Sequence, residues 1–475
     1  MKIEIMLILM VGILILGGFG TSAISENERK MILLLPSKEE FDMVIIAPEK
    51  FSGSIQPLID HKNSHGVQTF LKPTEEIYSE YDGRDKAEEI KYFIKDALEQ
   101  WNISYVLLVG GRRGQLFRWY VPVRYSNVDD GFLHKQFLSD LYFADIYNEN
   151  GEFEDWDSNG NGIFAEWSSS SNSPDDVMDL KPDVAVGRLP CRNKVEVIAI
   201  VEKIIDYENN AYNQSWFNNI LLIGGDTNPG VGEPFPYEGE VDCEWVLQYL
   251  DGFDATRLYT SDGSLTGSDD FIPAFNNGNG LVYFAGHGWQ YRLGTHPPDD
   301  QEWIFFMHND YVSQLDNEDM YPVMVVGGCL STEFDVGILN FLTIFKNLKH
   351  HHHFFNFKYE CVSECISWNL VKKPDGGSIA YIGSSSTTWG DTGDNNNDSI
   401  PDGVQNGFTV GLCTEFFRVF GEDEKRVLGE IFVDTLTNEI EKFSAGEDRI
   451  QCKCVQEFML IGDPSLRVGG YTTIY

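Results

Sequence analysis

Short apolar runs bounded by glycine recur along this 475-residue chain, and amphipathic stretches separate them. Residues 44–47, 67–71 and 105–109 read as strands, while 51–61 and 86–101 carry apolar positions at helical spacing. A helix over 194–207 leads into a second series: strand 218–225, helix 240–250, strand 255–259, helix 269–275 and the apolar runs 281–285 and 322–326. Further strands are expected at 378–382 and 458–461. Continuous apolar strands alternating with helices predict an α/β fold in which parallel sheets are covered on both faces. The linking helix suggests two α/β/α subdomains, 26–215 and 216–470, each with a mostly parallel sheet flanked by helices. No internal repeat of fixed period is visible.

Two of the apolar runs stop abruptly at a reactive residue. Leu281-Val282-Tyr283-Phe284-Ala285 continues as Gly286-His287-Gly288, and Pro322-Val323-Met324-Val325-Val326 as Gly327-Gly328-Cys329. Side chains just past the C-terminal ends of parallel strands lie where open α/β sheets bind ligands. His287 and Cys329 are therefore expected at one edge of one sheet, on glycine turns that admit close approach of a substrate. That is the layout of a Cys-His acyl-transfer site: the thiolate attacks, the imidazole moves the proton, and the backbone N–H of Gly288 or Cys329 holds the oxyanion. Taken singly, a cysteine after a strand is more often a small buried hydrophobe, and a histidine in a glycine turn more often structural.

The first residues narrow the setting. Lys2, an apolar core from Ile5 to Leu16 and the small residues Thr21-Ser22-Ala23 have the form of a secretory leader, 1–25, and imply a secreted protein. That core is shorter than the roughly 20 residues of a membrane helix, and no later segment reads as a span. The formal net charge is −39, which argues against nucleic acid as a partner because phosphate contacts need clustered Lys and Arg. In an exported chain, 8 cysteines invite disulfides. Cys361 and Cys365 share a helix face, where a zinc half-site is the alternative. The run His350 to His353 is metal-capable but belongs to a segment, 337–358, that reads as a surface insertion.

Two acidic loops alternate oxygen-bearing residues as a calcium site does. The first offers Asp157, Asn159, Asn161, the Ile163 carbonyl and Glu166, with a glycine at its sixth position. The second offers Asp394, Asn396, Asp398, Ile400 and Asp402. Both are expected to bind Ca²⁺ structurally, against the plainer reading as polar turns, for which Asn, Asp and Gly are the ordinary residues.

In chain order, further segments carry a resemblance: Ser139-Asp140-Leu141-Tyr142, Val184-Ala185-Val186-Gly187-Arg188, the strand from Phe217 to Gly225, the His-Gly and Gly-Cys strand ends, and Leu460-Ile461-Gly462-Asp463-Pro464-Ser465-Leu466. Together they resemble the gingipain family of the caspase, legumain and gingipain group of cysteine peptidases, over nearly all of the chain after the leader. The resemblance implies two caspase-like subdomains, the second catalytic, and an exported cysteine endopeptidase acting on polypeptides, with Cys329 as nucleophile and His287 as general base and acid. It sets Asp226 at the acidic position beside the histidine, Glu240 or Asp242 where a basic acyl-side residue would be recognised, and Trp389 on the wall of the same pocket. It also implies that the family's long propeptide and C-terminal domains are missing here. Two alternatives stay open: an acyl transferase that attaches proteins to the cell surface by the same chemistry, and a calcium-dependent binding or surface protein on an inactive scaffold.

Overall fold

A strand buried on both faces has no need of a polar side, so the apolar runs gather into a central sheet with helices above and below. The computed structural model describes residues 40–132, 135–230, 237–342, 362–443 and 447–472; the leader, Cys361 and His350 to His353 lie outside them. In the first half, β1 (Met43–Ala47), β2 (Thr69–Pro73), β3 (Tyr105–Val109) and β7 (Ala185–Leu189) alternate with α1 (Ser52–Ser64), α2 (Thr74–Glu80), α3 (Lys86–Trp101) and α4 (Lys194–Asn210). A small sheet of β4 (Tyr125–Val128), β5 (Phe137–Leu138) and β6 (Glu166–Trp167) lies between β3 and β7 in the chain. The long helices begin at side-chain caps. Asp85 accepts from the amides of Ala87 and Glu88 at the head of α3, and Asn193 from those of Val195 and Glu196 at the head of α4.

The second half supplies β8 (Asn219–Gly224), α5 (Glu238–Leu247), β9 (Asp254–Tyr259), α6 (Ser268–Asn276) and β10 (Leu281–Ala285). A three-stranded antiparallel sheet follows: β11 (His287–Trp289), β12 (Arg292–Thr295) and β13 (Ile304–His308). Then come β14 (Val323–Gly327), α7 (Ile366–Val371), β15 (Ala380–Ser384), α8 (Asp402–Gln405), α9 (Phe408–Gly421), α10 (Leu428–Phe443), α11 (Arg449–Glu457) and β16 (Phe458–Ile461). The fold is α/β with one large, mostly parallel sheet flanked by helices.

The two series of strands share that sheet, whose order is β2-β1-β3-β7-β16-β15-β14-β10-β8-β9. Each half is parallel within itself, and the halves meet where β15 and β16 run antiparallel. Strand β16, from the far end of the chain, thus completes the first half's set, so the sheet bridges the boundary expected at 215/216. The join explains the tail segment. A side chain on Gly187 would come within 2.4 Å of the Gly462 carbonyl, and buried Lys62 pairs with both Asp463 and Glu208 at 2.8 Å. Arg188, fully buried at the same seam, holds Asp140 through two hydrogen bonds of 2.6 and 2.7 Å. Among the described residues, no helix is long and apolar enough to cross a membrane.

Candidate active site

Strands β10 and β14 pair in parallel with Ala285 opposite Gly327, so the two residues that follow each of them leave the sheet side by side. Gly286-His287 and Gly328-Cys329 are those residues. The glycines are required by distance: a β-carbon on Gly288 would lie 2.3 Å from the Cys329 carbonyl oxygen, and one on Gly328 3.0 Å from the Gly288 nitrogen. The backbone of Gly288 therefore lies directly against Cys329.

His287 donates from Nε2 to the Thr227 carbonyl at 2.7 Å, which leaves Nδ1 as the basic nitrogen of the neutral ring. Burial lowers the His287 pKa from its ordinary value; the Thr227 carbonyl works against that shift and His296 adds to it. The Cys329 sulfur accepts from the Thr388 amide at 3.3 Å, and its proton points to the Thr388 carbonyl 3.7 Å away. Burial pushes this thiol up to about 11; the Thr388 amide and Lys453 pull it down, and Glu457 pushes it further up. The hydrogen bonds among the described residues include none between the thiol and the imidazole. The pair thus rests as neutral thiol and neutral ring.

Thr388 is held from behind by residues the sequence does not announce. Lys453, wholly buried on α11, pairs with Asp130 at 2.6 Å and donates to the Thr387 hydroxyl at 2.9 Å and to the Thr387 carbonyl. Trp389 donates from its indole nitrogen to the same Asp130 carboxylate at 3.1 Å. This ion pair anchors the segment after β15 that carries both the sulfur's partner and Trp389. Nothing local in the sequence marks Asp130 or Lys453, which lie 323 positions apart.

The other expected residues divide. Asp226 lies at the end of β8, buried beside His296, but its carboxylate accepts from the amides of Asn228 and Asp299 at 3.2 and 2.8 Å. The partner of His287 is the next residue's carbonyl. Glu240 is likewise occupied, accepting from the Ser261 amide at 2.9 Å and the Ser261 hydroxyl at 2.5 Å. Asp242 is buried without a hydrogen-bonded partner among the described residues; burial, with Glu238 nearby, raises its pKa well above the carboxylate range. It lines a small cavity with Asp391, Thr392, Pro401 and Gly403, two residues past Trp389. Trp389 itself is 39% exposed and meets Phe132 edge to face.

The calcium loops differ in their fit to a cation. Asp157 already pairs with Arg84 at 2.7 Å, and the Asn161 amide nitrogen faces Glu166 at 2.7 Å, so the first loop is closed by its own partners. Asp176, absent from the expected ligand set, accepts from the Asn159 and Glu166 amides there. In the second loop Asp394 and Asp398 bind backbone amides of the loop, and Asp402 accepts from Asn395. No Lys or Arg pairs with these three carboxylates among the described residues, so the second loop suits a cation better. Among those residues no group of three or more His, Cys, Asp or Glu side chains is gathered on one metal position. The seven described cysteines are all free, including Cys365. A cavity of about 850 Å³ lies elsewhere and is lined by carboxylates such as Glu149, Glu154 and Asp179.

A cysteine and a histidine delivered by neighbouring parallel strands to one sheet edge define an α/β protein with the layout of a thiol acyl-transfer site. The chain belongs to peptidase family C25, whose profile matches residues 36–469. Gingipain R2 of Porphyromonas gingivalis is 23% identical over 438 residues, 91% of this chain and 46% of that protein. The chain therefore spans less than half the length of that relative. An uncharacterised protein of Archaeoglobus fulgidus is 22% identical over 73% of this chain and 76% of its own. The crystal structure of the Arg-specific cysteine proteinase gingipain R shares the fold, with a TM-score of 0.59, 20% identity and coverage of 91% of this chain and 79% of that one.

Proposed function

We propose that the chain is an exported cysteine endopeptidase in which Cys329 and His287 form the catalytic pair. The observation that carries this reading is the paired register of Ala285 and Gly327, which brings the two side chains to one edge on glycine turns. As the sulfur attacks the scissile carbonyl, Nδ1 of His287 takes the thiol proton, while the Nε2–H bond to the Thr227 carbonyl steadies the imidazolium that forms. The backbone at Gly288 and Cys329 holds the oxyanion. His287 then gives its proton to the leaving amine, and a water deprotonated by the same ring hydrolyses the thioester. Export is supported by the leader pattern of residues 1–25. Membership of a peptidase family supports polypeptides as substrates.

A basic residue on the acyl side of the scissile bond is supported by Asp242, a buried carboxylic acid with no hydrogen-bonded partner among the described residues, beside Trp389's segment. An arriving guanidinium or ammonium would supply the missing charge. Calcium held by Asp394, Asn396, Asp398, Ile400 and Asp402 would brace the far wall of that cavity.

The test is labelling by a peptidyl acyloxymethyl ketone together with cleavage of a peptide library. Wild type should be labelled at Cys329, and Cys329→Ala and His287→Ala should each lose several powers of ten in turnover while keeping their melting temperature. More than about a tenth of wild-type turnover in Cys329→Ala would exclude it as the nucleophile. Products ending in a free carboxylate indicate hydrolysis, and a new peptide-amine linkage would indicate acyl transfer instead.

A further inference from the structure

The sheet edge has a direction. Beyond the ends of β15, β14, β10 and β8 lie, in that spatial order, Trp389, Cys329, His287 and Asp226-Thr227. In a Cys-His reaction the imidazole protonates the departing amine, so the leaving side of the substrate lies beyond the sulfur, toward His287. The acyl side is then toward Trp389. What stands on the leaving side is the small sheet β11–β13, which begins at His287 itself.

Alternation along a strand puts His287 and Trp289 on one face of that sheet. The register sets Gly294 opposite His287, Arg292 opposite Trp289, and Phe305 opposite Gly294. Gly294 matters here, because a β-carbon on it would come within 2.6 Å of the Phe305 ring. The opposite face is core, with Leu293, Phe306 and Met307 fully buried. The His287 face is instead an aromatic surface. Trp303 lies 5.0 Å from the His287 ring, 4.9 Å from Trp289 and 3.8 Å from His296, and stacks parallel to Phe305 at 5.5 Å. Trp303 is 41% exposed, so the surface is open beside the catalytic ring.

We propose that this surface is a leaving-side subsite that selects a large apolar side chain, aromatic by preference, on the first or second residue after the scissile bond. The proposal rests on the peptidase reading above and names the substrate feature that reading leaves open. A cationic guest is disfavoured, since the Arg292 guanidinium already lies 3.9 Å over Phe305 and 4.7 Å over Trp289. An aromatic guest can meet the exposed Trp303 edge to face or offset-stacked, as the resident rings meet one another.

The test separates binding from turnover. Fluorescein-labelled peptides with one common acyl side, and Phe, Trp, Asp or Gly at the first or second position after the scissile bond, are titrated onto Cys329→Ala by anisotropy. The same peptides in internally quenched form are offered to wild type. The Phe and Trp peptides should bind about three- to tenfold more tightly than the Gly peptide, the range an aromatic contact supports. Adding Trp303→Ala should bring that ratio to about one, and Trp303→Phe, which keeps a ring, should retain part of it. Equal binding of Phe and Gly peptides would overturn the subsite, as would a preference that survives Trp303→Ala in a protein of unchanged melting temperature. If the binding preference is present and wild type cleaves none of the peptides, the subsite stands and the peptidase reading fails.

Discussion

The resting state of Cys329 makes a kinetic claim that alkylation can measure. Burial, opposed by the Thr388 amide and Lys453, leaves the thiol at about 11, and no hydrogen bond reaches it from His287. At pH 7 the thiolate would be roughly one part in ten thousand, since each unit below the pKa costs a factor of ten. The other six described cysteines are buried, so iodoacetamide should find Cys329 first, and mass spectrometry can follow that one site. In the free protein the logarithm of the alkylation rate should climb by about one per pH unit from pH 7 to 10 without levelling. Two substitutions fix the cause. Lys453→Met removes the cation that pulls the thiol down and should slow alkylation at pH 8 several-fold, and Glu457→Gln removes the opposing charge and should speed it. A rate that is flat between pH 7 and 9 would mean a resting thiolate-imidazolium pair and would refute the account of the neutral site.

Other expectations are simpler to check. Asp242→Asn should lower kcat/KM by at least about tenfold on peptides with Arg or Lys on the acyl side, the loss typical of one charge-assisted contact; retained efficiency would remove Asp242 from recognition. Calcium should raise the wild-type melting temperature by mass action, and Asp398→Ala should abolish the rise while Asp157→Ala keeps it, because Asp157 already has Arg84 as partner; a wild type indifferent to chelator leaves both loops as polar turns. Glu439 is buried on α10 with one oxygen unpaired, and burial pushes it up to about 7 from the 4.5 of an exposed carboxyl. The fold then favours the protonated form, so its contribution is full below about pH 4.5 and is lost as pH rises toward 7, by at most about 3 kcal/mol. Melting temperature should fall from pH 5 to pH 8, and Glu439→Gln should flatten that fall; an unchanged slope would assign the loss to other groups.

That His287 and Cys329 meet at one sheet edge was legible because both residues follow unbroken apolar runs, and a run of that kind has few structural alternatives to a buried parallel strand. Their meeting needed only that β10 and β14 be neighbours. The antiparallel seam was not legible, since β16 reaches β7 across most of the chain and its four apolar residues carry no sign of direction. Helix α5 starts at Glu238, two residues earlier than its expected start, and the sequence could not show that Glu240, on which the resemblance fell, is occupied by Ser261 while Asp242 two positions on has no hydrogen-bonded partner among the described residues. Asp226 was expected beside the histidine, but which group of a loop faces a histidine is decided by backbone path, and the Thr227 carbonyl arrives first. Trp303 and Phe305 escaped notice because β11 to β13 run only three to five residues each, too short for alternation to rise above chance.

The segment from Thr387 to Trp389 joins features that the sequence presents as unrelated. Its first residue is clamped by Lys453, its second bonds the sulfur through both amide and carbonyl, and its third presents an exposed ring while bonding Asp130. In the proposed reaction, the sulfur would turn from Thr388 toward the substrate and His287. A substrate residue settling against Trp389 acts on the same three residues that hold the sulfur back, and the Asp130–Lys453 pair fixes their far side. On that reading, acyl-side binding and release of the thiol would be coupled by geometry. On the proposed peptidase reading, that coupling would let a thiol at about 11 serve at neutral pH: the proton would leave for His287 only once the carbonyl carbon is in place to accept the sulfur's electrons.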